Sequence, residues 1–194
     1  MTFKKNSVQI IGSYNDFLDE QYDLNIELHS GDNLTWSHCG LTADYVAQFY
    51  SKILPTENPT SNEIFHTINY IANELLENAF KFKSDGHIVL QSIIDHRASS
   101  KLTLIISNQI NINQVDPLIE QLSILINSDV EQLMLEKLEA NAISDDDSTS
   151  CLGFITMIND YDASLGWKIS GNENEKITIS IMAQISIDNF GTKK

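Results

Sequence analysis

Residues 70–82 constrain this chain more than any other stretch, because their apolar spacing fits one backbone conformation. Ile64, Ile68, Ile71, Leu75 and Ala79 recur every three or four positions, the pattern of the buried stripe of an amphipathic helix. Glu74, Asn78 and Lys81 lie one position off that stripe, at the border between core and cleft. A carboxylate, a carboxamide and an ammonium placed there can serve as base, magnesium ligand and phosphate contact. A surface helix with a favourable Glu/Lys face has the same pattern, and spacing alone leaves both readings open.

The surrounding punctuation places this helix within a larger plan. Thr60 and Glu63 have capping-box spacing, which starts the helix near Ser61, and Ser84-Asp85-Gly86 ends it. Two strands are expected next, over 87–94 and 102–107, joined by the polar turn 96–100. Upstream, the alternation over 23–29 predicts a half-buried strand. After a turn at Gly31-Asp32-Asn33, a helix over 41–50 is expected to place Leu41, Tyr45, Val46 and Phe49 on one face, before a break at Pro55 and Pro59. Asp116-Pro117 reads as an N-cap followed by proline at the first helical position, with Leu118, Ile119, Leu122, Leu125 and Ile126 as the apolar face. Ser128 with Glu131 predicts another helix start. A short helix over 152–161 and strands over 166–170 and 176–181, joined at Gly171-Asn172, complete the plan. This order predicts an α/β (α+β) two-layer sandwich, a mostly antiparallel mixed sheet with helices on one face. The expected organisation is an N-terminal strand or hairpin extension, 1–35, on one compact domain, 36–194.

Composition narrows the function classes. The net charge of −15 opposes a nucleic-acid surface, which needs clustered Lys and Arg, so a protein partner or small ligand is expected. No apolar run approaches the roughly 18–20 residues of a membrane span, and no apolar segment follows the charged start as in a secretory signal. Cys39 and Cys151 are too few for a disulfide framework and lack metal-site spacing, which fits a reducing cytoplasm. The five histidines show no HExxH pattern, and no serine stands in a Gly-x-Ser-x-Gly elbow. The run 143–150, with Asp145, Asp146 and Asp147, reads as an exposed loop, either a lid over a ligand or a solvated connector.

With these residues in view, the chain resembles the GHKL superfamily, the ATPase domains of gyrase, Hsp90, histidine kinases and anti-sigma-factor serine kinases, in particular its small SiaB-type regulatory branch. Residues 73–81 are similar to the N-box of that superfamily, and 150–161 to its glycine box, with the acidic loop as ATP lid. The resemblance implies a Bergerat-like fold binding ATP and Mg, with Glu74 as catalytic base and Asn78 as magnesium ligand. It also implies phosphate contacts from Lys81 and from the backbone around Gly153. Two positions depart from the pattern. Asn108 follows the second strand where the family has Asp and then glycines, and would receive the adenine amino group through its amide oxygen. Cys151 stands where a glycine would help form the phosphate loop. The implied activity is phosphoryl transfer to Ser or Thr of a small STAS-like or SiaC-like partner. A nucleotide-free pseudo-kinase acting as an interaction module remains the alternative. A homodimer through the N-terminal strand and the 41–50 helix is compatible with either.

Overall fold

The computed structural model describes residues 7–16, 22–29, 34–54, 61–84, 87–95, 100–143, 151–171 and 176–187. The expected turns at 31–33, 55–59, 85–86 and 96–99, the Thr60 cap, the join at Asn172 and the acidic run 144–150 lie outside the described residues. Eleven elements are described: β1 (Val8–Gly12), β2 (Leu24–His29), α1 (Trp36–Ile53), α2 (Ser61–Phe82), β3 (His87–Asp95), β4 (Lys101–Ile110), α3 (Ile112–Asn127), α4 (Val130–Ile143), α5 (Leu152–Tyr161), β5 (Ser164–Gly171) and β6 (Ile177–Ser186). The strands form one sheet in the order β1-β5-β6-β4-β3-β2. All five pairings are antiparallel, so the sheet is not mixed. The molecule is the expected two-layer α+β sandwich.

Register divides the sheet into two faces. Ile26, Leu90, Ile106, Ile181, Trp167 and Ile11 form one row across all six strands, and every one packs into or against the helix-facing core. Fully burying a Leu or Ile side chain contributes about 1.5–3 kcal/mol, so rows of this kind set the register. The stripe of α2 lies against them, with Ile64, Ile68, Ile71, Leu75 and Ala79 all buried. Trp167 stands edge-on to Phe154 of α5, ring centroids 5.4 Å apart, and seats that helix on β5.

Four local expectations are corrected. The buried side of α1 is Cys39, Ala43, Val46, Ala47 and Tyr50, while Leu41 and Tyr45 are 67% and 55% exposed. Small residues let α1 lie close to α2, and the Tyr50 hydroxyl donates to Ser92 at 2.7 Å. The helix α3 starts at Ile112 rather than at Asp116-Pro117, because the Gln114 side chain accepts the Asn111 N–H at 2.8 Å; Pro117 lies inside the helix. The cap of α4 is Asp129, whose carboxylate accepts the Gln132 N–H at 3.0 Å, and Ser128 instead closes α3. Residues 8–12 and 24–29 do not pair as a hairpin but occupy opposite edges of the sheet.

The chain leaves β1 across the outer face, away from the helices. Ser13 N–H donates to the Leu165 carbonyl at 2.9 Å, Asp16 pairs with Lys168 at 2.6 Å, and the Tyr14 hydroxyl bonds Ser180. Beside β2, at the other edge, Asp23 accepts the Ile94 N–H at 2.8 Å and donates its own N–H to the Ser92 carbonyl at 2.9 Å.

Candidate functional site

Two helices bring the sequence-predicted residues together. Glu74 and Asn78 sit one turn apart on the half-buried edge of α2, and Gly153 is the second residue of α5. The Glu74 carboxylate lies directly on the Cα of Gly153: a Cβ there would collide with Oε2 and stand 2.8 Å from Cδ. What a side chain at position 153 would meet is this carboxylate, and the end of the flexible Glu74 side chain would have to move to admit it. Farther along the same contact, the Tyr70 and Tyr161 rings stack at 5.0 Å and the Tyr70 hydroxyl bonds Thr156.

The electrostatics of Glu74 follow from this seat. Burial raises its pKa, and the negative charge of Glu77 raises it further. No cation or hydrogen-bond donor among the described residues offsets the shift. Glu77 is itself engaged, accepting from the Asn73 amide at 2.7 Å. Burial and a neighbouring like charge both make a carboxylate hold its proton more readily than a surface glutamate does. Asn78 donates its amide nitrogen to the Glu74 carbonyl at 2.8 Å, so its amide oxygen is the atom available to a hard cation.

The N-terminus of α5 has no side-chain cap. Cys151 caps it in the left-handed conformation, φ 46°, without a side-chain cap bond, and the first intrahelical donor is Ile155, to the Cys151 carbonyl at 3.1 Å. The N–H groups of Leu152, Gly153 and Phe154 thus precede the helical ladder and point out of the helix start. Cys151 keeps the backbone shape a glycine would take there, and its thiol donates to Gln121 of α3 at 3.8 Å. Burial raises the thiol pKa, opposed by the positive charges of Lys137 and Lys81. Two lysines from different helices therefore act on this one helix start, in a chain of net charge −15. Sequence reasoning missed Lys137, because the spacing of α4 was read for its apolar residues alone; convergence of α2 and α4 on Cys151 is a tertiary fact.

Asn108 is only 3% exposed and lies on the helix-facing row of β4, opposite Ile179. Its amide nitrogen donates to the Gln109 carbonyl at 3.3 Å. The Ser84 N–H donates to that same carbonyl at 2.8 Å, which ties the exit of α2 to the end of β4. Lys81 is exposed, with its ammonium 5.4 Å from the Phe82 ring. Among the described residues, no group of three or more His, Cys, Asp or Glu is arranged to hold a metal ion. No helix among them is long and apolar enough to cross a membrane.

No protein-family model matches the chain, and no curated protein matches it. Its architecture is similar to a chain in the crystal structure of the SiaB-SiaC complex from Pseudomonas aeruginosa, with a TM-score of 0.57 and 11% sequence identity over 84% of this chain and 91% of that one. At that identity the likeness is one of fold: this chain shares the SiaB-like two-layer architecture.

Proposed function

We propose that this chain is a cytoplasmic signalling regulator of the GHKL type that binds Mg-ATP between α2 and α5 and transfers a phosphoryl group to a Ser or Thr of a small SiaC-like or STAS-like protein. The observation that carries this reading is the seating of Glu74 on Gly153 at the uncapped start of α5. The fold shared with a chain of the SiaB-SiaC complex supports a regulator that works by engaging a protein partner.

Each residue has a distinct task. The Leu152, Gly153 and Phe154 N–H groups bind phosphate oxygens, helped by Lys81 and Lys137. Asn78 offers its amide oxygen to magnesium, which supplies charge neutralisation at the phosphates when bound. Glu74 accepts the proton of the attacking hydroxyl as its oxygen bonds the γ-phosphorus, and the bond to the leaving ADP oxygen breaks. Asn108, in the apolar surroundings of β4 and β6, accepts the adenine amino group.

Calorimetric titration with ATP, with and without magnesium, tests the reading. Asn78→Ala should abolish magnesium-dependent binding, whereas Glu74→Ala should retain binding and lose phosphoryl transfer to the partner. The opposite pattern would remove these assignments. One observation favours a nucleotide-free interaction module instead: the Asn108 side chain is buried and uncharged where the superfamily has Asp. Absence of binding by the native chain at millimolar ATP would establish that alternative.

A further inference from the structure

The outward face of α1 carries an apolar row left open to solvent. Leu41, Tyr45, Phe49 and Ile53 follow one another at intervals of four, a single ridge along the helix surface. Leu41, Tyr45 and Ile53 are 67%, 55% and 50% exposed, while Phe49 lies half-buried, edge-on to Tyr50. The other side of α1, with Cys39, Ala43, Val46, Ala47 and Tyr50, is already packed into the core. Folding gains nothing from exposing three large apolar side chains along one ridge, and a continuous patch of that kind marks an interaction surface.

We propose that this row is a homodimer interface, in which α1 packs antiparallel on α1 of a second copy about a two-fold axis at the level of Ala47. Symmetry and charge select the occupant. An isologous interface needs a surface that matches itself under a two-fold rotation. The row does so: an axis midway between Leu41 and Ile53 sets Leu41 of one copy toward Ile53 of the other, and Tyr45 toward Phe49. The only acidic residue of α1, Asp44, and its only lysine, Lys52, lie on either side of that axis. The antiparallel copy therefore brings Asp44 toward the half of its helix that carries Lys52, and does so twice. Two chains that each carry a net charge of −15 repel over most of their surfaces, so they meet where the charge balances. One acid and one base balance α1. The helix α4 also exposes Leu135 and Leu138, but it holds Glu131, Glu136 and Glu139 against Lys137, and self-association there would set carboxylates together. The α1 interface neither uses nor depends on the proposed nucleotide site.

Sedimentation equilibrium of the intact chain provides the test, with Leu41→Glu, Tyr45→Glu, Lys52→Glu and the exchange Asp44→Lys with Lys52→Glu as variants. The native chain should show a monomer–dimer equilibrium with a dissociation constant on the order of 10 µM, since one helix face per copy is a small interface. Leu41→Glu and Tyr45→Glu should each weaken it by roughly tenfold or more. Lys52→Glu should weaken it less, and adding Asp44→Lys should recover most of that loss, which a merely destabilised helix would not do. Gln48→Cys places one thiol of each copy beside the axis and should give a disulfide-linked dimer under mild oxidation, whereas Glu120→Cys, an exposed position on α3, should not. A native chain that stays monomeric up to about 0.5 mM would overturn the proposal and leave the row to a different protein. A dimer left intact by Leu41→Glu and Tyr45→Glu, no recovery in the charge exchange, or equal cross-linking of both cysteine variants would overturn it as well. Circular dichroism of each variant separates lost association from lost folding, and the cross-link reads the interface in a chain whose apolar row is unaltered.

Discussion

Glu74 accepts a cost that an ordinary surface glutamate avoids. Burial and then Glu77 raise its pKa, so folding favours the protonated form. The sign follows by linkage: a group whose folded pKa lies above its unfolded value stabilises fully below the unfolded pKa, and that contribution is lost as pH rises through the folded one. At neutral pH the ionised carboxylate therefore weakens the fold relative to a neutral isostere. Glu74→Gln should raise the urea midpoint at pH 7, and the advantage should vanish below roughly pH 4, where both states carry a neutral side chain. An equal or lower midpoint at pH 7 would mean that the carboxylate is paired after all. The placement of Glu74 and Asn78 on one helix edge was legible in the sequence because helical spacing is a local signal, whereas Gly153 was singled out through the resemblance. Lys137 was not, because its place depends on how distant segments meet.

The short helix α5 starts from a residue with a side chain in a backbone shape that favours glycine. Its N-cap, Cys151, has φ 46°, where a side chain costs about 1–2 kcal/mol relative to glycine. Asp162 at the other end is also left-handed, and beyond it the Ala163 N–H reaches back to the Met157 carbonyl at 3.0 Å. Comparing two variants that both lack the thiol isolates the backbone contribution. Cys151→Gly should be more stable than Cys151→Ala by about 1 kcal/mol in urea denaturation, the reverse of the order at a right-handed helical position. Equal stability would show that the cap relaxes out of the left-handed region. The extents of α2 and α5 were readable from period and breakers, whereas the starts of α3 and α4 were not. Asn111 and Asp129 compete as caps with Asp116-Pro117 and Ser128, and the choice is made by which side chain reaches an N–H. The outward turn of Leu41 and Tyr45 was equally hidden, since only packing on α2 selects among the faces of α1.

At the scale of the whole molecule, alternation identified most of the strands but not their order. Putting β1 and β2 at opposite edges requires their connection to travel across the sheet, and nothing in the local pattern of residues 7–29 encodes which face it takes. The structure answers through glycine. Gly166 of β5 faces outward, and a Cβ there would collide with the Tyr14 backbone N and stand 2.5 Å from the Ser13 carbonyl carbon. The chain thus leaves β1 in contact with β5, at a position that only a residue without a side chain permits. Tyr14 then bonds Ser180 on β6, and Asp16 meets Lys168. Because backbone rather than a flexible side chain fills the space, the clash at Gly166 cannot be relieved by a rotamer change. Gly166→Ala should cost about 1–3 kcal/mol, the range for overpacking a close contact, read as a lower urea midpoint. The loss should centre on β1: hydrogen exchange should accelerate at Ser13, whose N–H is held by Leu165, before it changes in the β4–β6 pair at the middle of the sheet. A substitution tolerated without either effect would mean that the crossing segment is not held on the outer face, and the two N-terminal strands would then need another route to their edges.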